Sequence, residues 1–183
     1  DCSVLLSREE KASSTKRKVK RMSENITGKY NSGFISFKRD SAGLACLNWW
    51  KEKCLESCSI DPKSGIFGDQ RYLDYMPSLF QPVCDISTKG VNIGPWNFRK
   101  YHYHVMGGDV YINDTPLIFF HFSGLRIVSK TNTRLIHNSE KNIPFIFKIY
   151  KYELLKVIEQ VEKTDPQYNG FAKGDDLKLF WEV

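Results

Sequence analysis

The run Val110-Tyr111-Ile112-Asn113-Asp114-Thr115-Pro116-Leu117-Ile118-Phe119-Phe120-His121-Phe122-Ser123-Gly124 alternates short apolar segments with turn residues, which is the pattern of strands joined by hairpins. It predicts strands over 110–112 and 117–122, with Asn113-Asp114 closing one turn and Gly107-Gly108-Asp109 another. Upstream, 83–86 and 98–105 read as further strands. Helical spacing appears on either side of this β-rich block. Leu44, Leu47, Trp50, Cys54 and Cys58 recur along 42–58, 69–80 reads as a second short helix opening at Asp69, and Leu154, Leu155, Ile158 and Val161 share one face of a final helix over 149–163. Residues 2–7 and 33–38 complete the strand set. Strands and helices mixed in one apolar-rich chain mean α/β or α+β.

A chain of 183 residues fits one domain that buries about two thirds of the surface its unfolded form exposes. The net charge of +6 is concentrated in Lys16-Arg17-Lys18-Val19-Lys20-Arg21, five cations in six positions, so the remainder is close to neutral. A nucleic-acid domain would spread Lys and Arg over a face interleaved with aromatics; the block has no aromatic residue, and nucleic acid is not the expected partner. The residues around it, 8–27, read as a mobile basic loop. Peripheral attachment to an anionic membrane surface through Lys16, Arg17, Lys18, Lys20 and Arg21 is the alternative use of the block. The cysteines Cys2, Cys46, Cys54, Cys58 and Cys84 are odd in number and lack a C-x-x-C pair, which favours a reducing, cytoplasmic setting. There is no run of about 18 apolar residues and no apolar leader at the start.

Several short motifs place polar groups beside glycine or bulky aromatics. Asn31-Ser32-Gly33 opens a strand, where an amide can both donate to and accept from sugar hydroxyls and glycine lets a backbone approach closely; an ordinary turn uses the same residues. Asp69, in Gly68-Asp69-Gln70, stands at an expected helix start, which makes it either a plain N-cap or a carboxylate that stabilises positive charge on a reacting sugar ring, with Gln70 holding the sugar in register. Pro95-Trp96-Asn97 offers a ring face and an amide to an acceptor. His121 lies at the expected carboxy-terminal end of a strand, where open α/β sheets bind ligands. It is either a divalent-metal ligand or a donor to a diphosphate oxygen. Trp49-Trp50 reads as packing.

Read together, Tyr30-Asn31-Ser32-Gly33-Phe34, Phe37-Lys38-Arg39-Asp40, Leu47-Asn48-Trp49-Trp50, Gly68-Asp69-Gln70-Arg71-Tyr72-Leu73-Asp74, Asn92-Ile93-Gly94-Pro95-Trp96-Asn97 and Pro116-Leu117-Ile118-Phe119-Phe120-His121-Phe122 resemble a family of bacterial nucleotide-sugar glycosyltransferases associated with surface-polysaccharide assembly. They are more distantly similar to the glycogenin-like retaining enzymes. The resemblance covers residues 1–126. It implies a GT-A-like α/β fold, a mixed sheet with flanking helices, a nucleotide-diphosphate sugar donor, a glycan or lipid-linked acceptor, and a Mn or Mg ion. It also implies that Asn31, Ser32, Gly33, Asp69 and Gln70 line the donor-sugar pocket, with Asp69 and Gln70 catalytic. Trp96 and Asn97 would border the acceptor cleft, and His121 would sit near diphosphate and metal. The family's amino-terminal βαβ half and its Asp-x-Asp motif have no counterpart here, so the resemblance is to the carboxy-terminal half alone. The expectation is little transferase activity from this chain by itself, or a non-catalytic carbohydrate- or partner-binding role.

Overall fold

The computed structural model describes residues 1–10, 26–135 and 144–174. It is mixed α/β and divides into two compact units, 1–121 and 122–183. The expected basic loop, with Lys16 to Arg21, falls largely outside the described residues.

The first unit is organised by strand β1 (Val4–Arg8), which pairs antiparallel with β2 (Tyr30–Phe37) and parallel with β5 (Val83–Asp85), giving the order β2-β1-β5. Val4 and Leu6 face one way and join Tyr30, Cys46, Leu73 and Met76 in the core, the inward half of a period-2 strand. Helix α1 (Ser41–Glu56) covers this core. Asp40 caps it by accepting from Gly43 N at 2.8 Å and is itself held by the Ser3 hydroxyl at 3.0 Å. The amide bond from Gly43 is the main reason the Asp40 carboxyl titrates below the usual carboxylate range.

The α1 stripe differs from the expected one. Gly43 and Cys46 are its buried positions, with Trp49 and Trp50 packed against the core, while Leu44 and Leu47 are exposed. The large indoles took the core-facing side: Trp50 stacks on Phe37 with ring centroids 6.0 Å apart, and Trp49 meets Tyr72 and Phe80. The expected helix over 69–80 is a 3-10 segment, Gln70–Tyr75, running into one α-turn, α2 (Met76–Leu79). Pro77 fits the opening of that turn because it has no N–H to donate.

A short pair, β3 (Ile60–Asp61) with β4 (Ile66–Phe67), leads into the Gly68-Asp69 corner. Beyond β5 the sheet β6-β7-β8 comprises Tyr103–Met106, Asp109–Ile112 and Thr115–Pro116. The two hairpin turns stand where glycine and Asn-Asp indicated, Gly107, Gly108 and Asn113 all having positive φ. Two expected strands are shorter or absent. Phe98–Lys100 is a 3-10 turn, and 117–122 is an extended segment outside the named strands, held by Leu117 N to Val110 O, Ile118 N to Gly90 O and the isolated bridge between Phe120 and Ile93.

Cys2 and Cys84 form a disulfide with Cα atoms 6.0 Å apart, leaving Cys46, Cys54 and Cys58 free. This corrects the reading of the cysteines as a reduced set. The parallel pairing of β1 and β5 brings the two thiols together across 82 positions, a proximity that spacing along the chain cannot reveal.

The second unit contains the antiparallel pair β9 (Leu125–Ser129) and β10 (Asn132–Leu135), and helix α3 (Pro144–Thr164). Ile146, Phe147 and Ile158 are buried; Leu154, Leu155 and Val161 are half-buried on the predicted face. Phe122 stacks flat on Tyr150 at 3.8 Å between centroids. No helix among the described residues is long and apolar enough to cross a membrane.

Candidate functional site

The pairing of β1 with β2 is irregular where the site forms. Leu6 opposes Ile35 and Arg8 opposes Tyr30, so two steps along β1 are matched by five along β2. Asn31, Ser32, Gly33 and Phe34 therefore bulge from the ladder opposite Ser7. Such bulges re-aim side chains and are frequent beside active sites. Alternation along an uninterrupted strand would have sent these residues to opposite faces.

Under the bulge lies a chain of buried amides. Gln70 Nε2 donates to the Thr27 carbonyl at 2.9 Å and approaches Glu9 Oε2 at 3.4 Å. Gln70 Oε1 accepts from Asn31 Nδ2 at 3.0 Å. Asn31 Oδ1 accepts from Gly33 N and from Asn92 Nδ2, both at 2.9 Å, and Asn92 Nδ2 also reaches Ser7 Oγ at 2.6 Å. Asn92 Oδ1 lies 3.3 Å from His121 Nδ1. Ser7, Asn31, Gln70 and Asn92 are all buried, so each bond in the chain matters: a lost partner leaves a desolvated donor or acceptor, at about 1–3 kcal/mol.

The predicted residues thus separate into a hidden set and a presented set. Asn31 and Gln70 have their polar atoms engaged within the protein and support the site from beneath. Asp69 is exposed at its mouth. Its carboxylate does not cap the 3-10 segment; it accepts from Ser32 Oγ at 3.3 Å, and its backbone carbonyl accepts from Trp50 Nε1 at 3.0 Å. The N-cap explanation of Asp69 is therefore set aside, and Trp50 both packs and anchors the Asp69 corner. Asn97 is buried and accepts from Gly94 N at 2.9 Å, which makes it the brace of a turn rather than a reader of hydroxyls. His104 stacks on Tyr111, and the His102 backbone N–H donates to Asn113 Oδ1 at 3.0 Å.

His121 is not at the end of a strand. Its extended segment is fixed by His121 N donating to Ile93 O at 2.6 Å and Ile93 N to Phe119 O at 3.4 Å. The half-buried ring stands edge-on to Trp96, centroids 5.1 Å apart. Gly33 lies against the same ring: a Cβ there would stand 2.1 Å from His121 Nδ1, so a side chain at position 33 would have to displace the imidazole. Trp96 is accordingly a wall for His121, seated over Gly94, and its buried Nε1 has no hydrogen-bond partner among the described residues.

Burial holds the His121 imidazole below its ordinary pKa. A group depressed on folding is protonated first in the unfolded chain, so its contribution to stability is present above about pH 6.5 and declines as the pH falls towards the lower folded value. The urea midpoint of the wild type is expected to fall over that interval, and His121→Gln to flatten that part of the profile. An equally steep profile in the variant would contradict this assignment.

A neutral imidazole can occupy one coordination position of a transition-metal ion such as Mn, whereas Mg prefers oxygen ligands. Among the described residues, no group of three or more His, Cys, Asp or Glu side chains is placed to hold one. No sequence pattern marks Glu9 or Ser7, and Asn92 stands in the Asn92–Asn97 motif without a role of its own. Glu9 and Ser7 lie on or just after a strand with no motif around them. Asn92 carried a usable signal, an Asn after Gly90-Val91 that takes φ 55°, the left-handed conformation asparagine tolerates better than most residues.

The chain is 49% identical over 181 residues to "Uncharacterized protein YfnF" of Bacillus subtilis (strain 168), a match covering 97% of this chain and 60% of that protein. It is 31% identical over 152 residues to "Uncharacterized protein YfnD" of the same organism, covering 79% of this chain and 49% of that one. No family model matches the chain, and no solved structure matches it. The chain spans about half to three fifths of the length of these two curated relatives.

Proposed function

We propose that the chain forms the donor-sugar side of a glycosyltransferase, which moves a sugar from a nucleotide-diphosphate donor to a glycan or lipid-linked acceptor in surface-polysaccharide synthesis, on a GT-A-like fold. The observation that carries this reading is the convergence of Asn31, Ser32, Asp69, Gln70 and His121, from three separate parts of the sequence, on one hydrogen-bonded group. Structural packing alone has no need of a carboxylate, a hydroxyl and an imidazole around a buried amide chain.

In this reading Asp69 and the Ser32–Gly33 backbone meet the donor sugar. The Asp69 carboxylate offsets positive charge on the ring as the glycosidic bond lengthens. Asn31 and Gln70 hold that bulge rigid, and rigidity matters because a loosely held carboxylate must reorganise as the reaction proceeds. A divalent ion, when bound, would stabilise charge on the leaving diphosphate; His121 is the residue here that fits it.

The test is binding and turnover of a panel of nucleotide-diphosphate sugars with Mn²⁺, by calorimetry and nucleotide release, on the chain and on any longer native protein that carries it. Asp69→Asn should leave donor affinity within severalfold and lower turnover by about 10²–10³-fold. Glycan binding without any nucleotide-sugar binding would overturn the reading in favour of a carbohydrate-binding module.

A further inference from the structure

We infer that Asn92 is a positioning residue that fixes His121 as the Nδ1–H tautomer, so that Nε2 carries the lone pair. The inference rests on the site described above but requires no transfer chemistry. A carboxamide has one donor end and one acceptor end, and two groups of unalterable polarity fasten this chain.

The first is the Thr27 carbonyl, which can only accept. It takes Gln70 Nε2 at 2.9 Å, so Gln70 turns Oε1 towards Asn31, and Asn31 must present Nδ2 to it. The second is the Gly33 N–H, which can only donate. It independently requires Asn31 Oδ1 on its own side, at 2.9 Å. Both ends therefore demand the same orientation of Asn31. Asn92 must then offer Nδ2 to Asn31 Oδ1, which leaves Asn92 Oδ1 facing His121 Nδ1 at 3.3 Å. An acceptor at that position calls for a proton on Nδ1. The order cannot be reversed at one member without placing two acceptors or two donors face to face.

Trp96 stands edge-on to the ring and Gly33 lies close against it, so the imidazole has little room to move off Asn92. Asn92 is 2% exposed and keeps a left-handed backbone, φ 55°, a conformation that persists in non-glycine residues when the surroundings over-determine it. Of the two roles the sequence left to His121, the tautomer selects one. In the neutral ring Nε2 accepts a hydrogen bond from a hydroxyl or ligates a cation; it does not donate to a diphosphate oxygen.

The experiment is two-bond ¹H–¹⁵N correlation of protein labelled at histidine nitrogens, at about pH 8, where imidazole is neutral. His121 is assigned by the loss of its signals in His121→Gln. In the wild type, Nδ1 should resonate as the protonated nitrogen and Nε2 as the unprotonated one. Asn92→Gly keeps a residue suited to positive φ and removes the carboxamide, and it should shift His121 to the Nε2–H form that an unconstrained neutral imidazole prefers. Asn92→Asp retains an acceptor and should retain Nδ1–H. A wild-type His121 with Nε2–H, or an Asn92→Gly variant still wholly Nδ1–H, would overturn the inference, and the wild-type spectrum decides even if a variant does not fold. Failure of donor-sugar binding would remove the transferase reading and leave this result untouched.

Discussion

Gly43→Ala is expected to destabilise the protein by roughly 3 kcal/mol, the upper end of overpacking effects, which for a chain of this size lowers Tm by roughly 6–12 °C. Helix propensity predicts the opposite sign, since alanine gains about 1 kcal/mol over glycine in a helix interior. Contact geometry decides between them. A Cβ on Gly43 would lie 2.2 Å from the Lys38 carbonyl oxygen and 2.9 Å from that of Ser3. Both are backbone atoms, so no rotamer change relieves the overlap. The Lys38 N to Ser3 O bond at 2.8 Å and the Asp40 cap meet at the same point, and α1 can accept the methyl only by lifting from β1. That movement would also carry Trp50 away from the Asp69 carbonyl. Thermal unfolding of the variant is sufficient as a test: a raised Tm would show that the helix is not seated as closely as described.

Asn31→Asp is expected to cost roughly 3–5 kcal/mol at neutral pH, the range for an uncompensated buried charge. The substitution preserves shape and replaces the donor Nδ2 by an oxygen, which then faces the acceptor Gln70 Oε1. A protonated carboxyl can still donate there, so the folded state holds the proton more tightly than the unfolded chain. The variant's pKa is therefore raised on folding. Its lost stability is recovered at and below the unfolded value, about 3.9, and disappears as the pH rises through the folded one. Urea midpoints at about pH 4 and pH 7, each taken relative to the wild type at that pH, should differ markedly. Equal differences would mean that position 31 is wetter or less constrained than its 6% exposure implies. The direction is opposite to that at His121, where acid removes stability, and the two therefore separate cleanly in one pH series.

Much of the site was legible because its residue types are unusual in combination. Asn31, Ser32, Gly33, Asp69, Gln70 and His121 were each marked by a local pattern, and the folded chain brings them together. Their division of labour was not legible. Gln70 and Asn31 looked like ligand-facing amides, yet the five-for-two bulge against β1 turns them inward to Thr27 and Asn92, and Asp69, Ser32 and Gly33 remain at the mouth. Asn97 looked like a reader of hydroxyls and braces Gly94 instead. A bulge depends on the register between two strands, and one strand's sequence carries no record of its partner's.

The sequence by itself determined the elements whose cause is local: the periodicity of α3, the Gly107-Gly108 and Asn113-Asp114 turns, the presence of α1, and the mixed α/β class. Local causes act through neighbouring φ/ψ choices and side-chain spacing, so they are written within a few residues. Tertiary structure alone decided what depends on distant segments meeting. It chose which face of α1 is buried, the bond between Cys2 and Cys84, the irregular span of 117–122, and the amide chain that runs from Thr27 to His121. These are set by close packing and by the requirement that every buried donor find an acceptor, conditions that exist only once the strands and helix have come together.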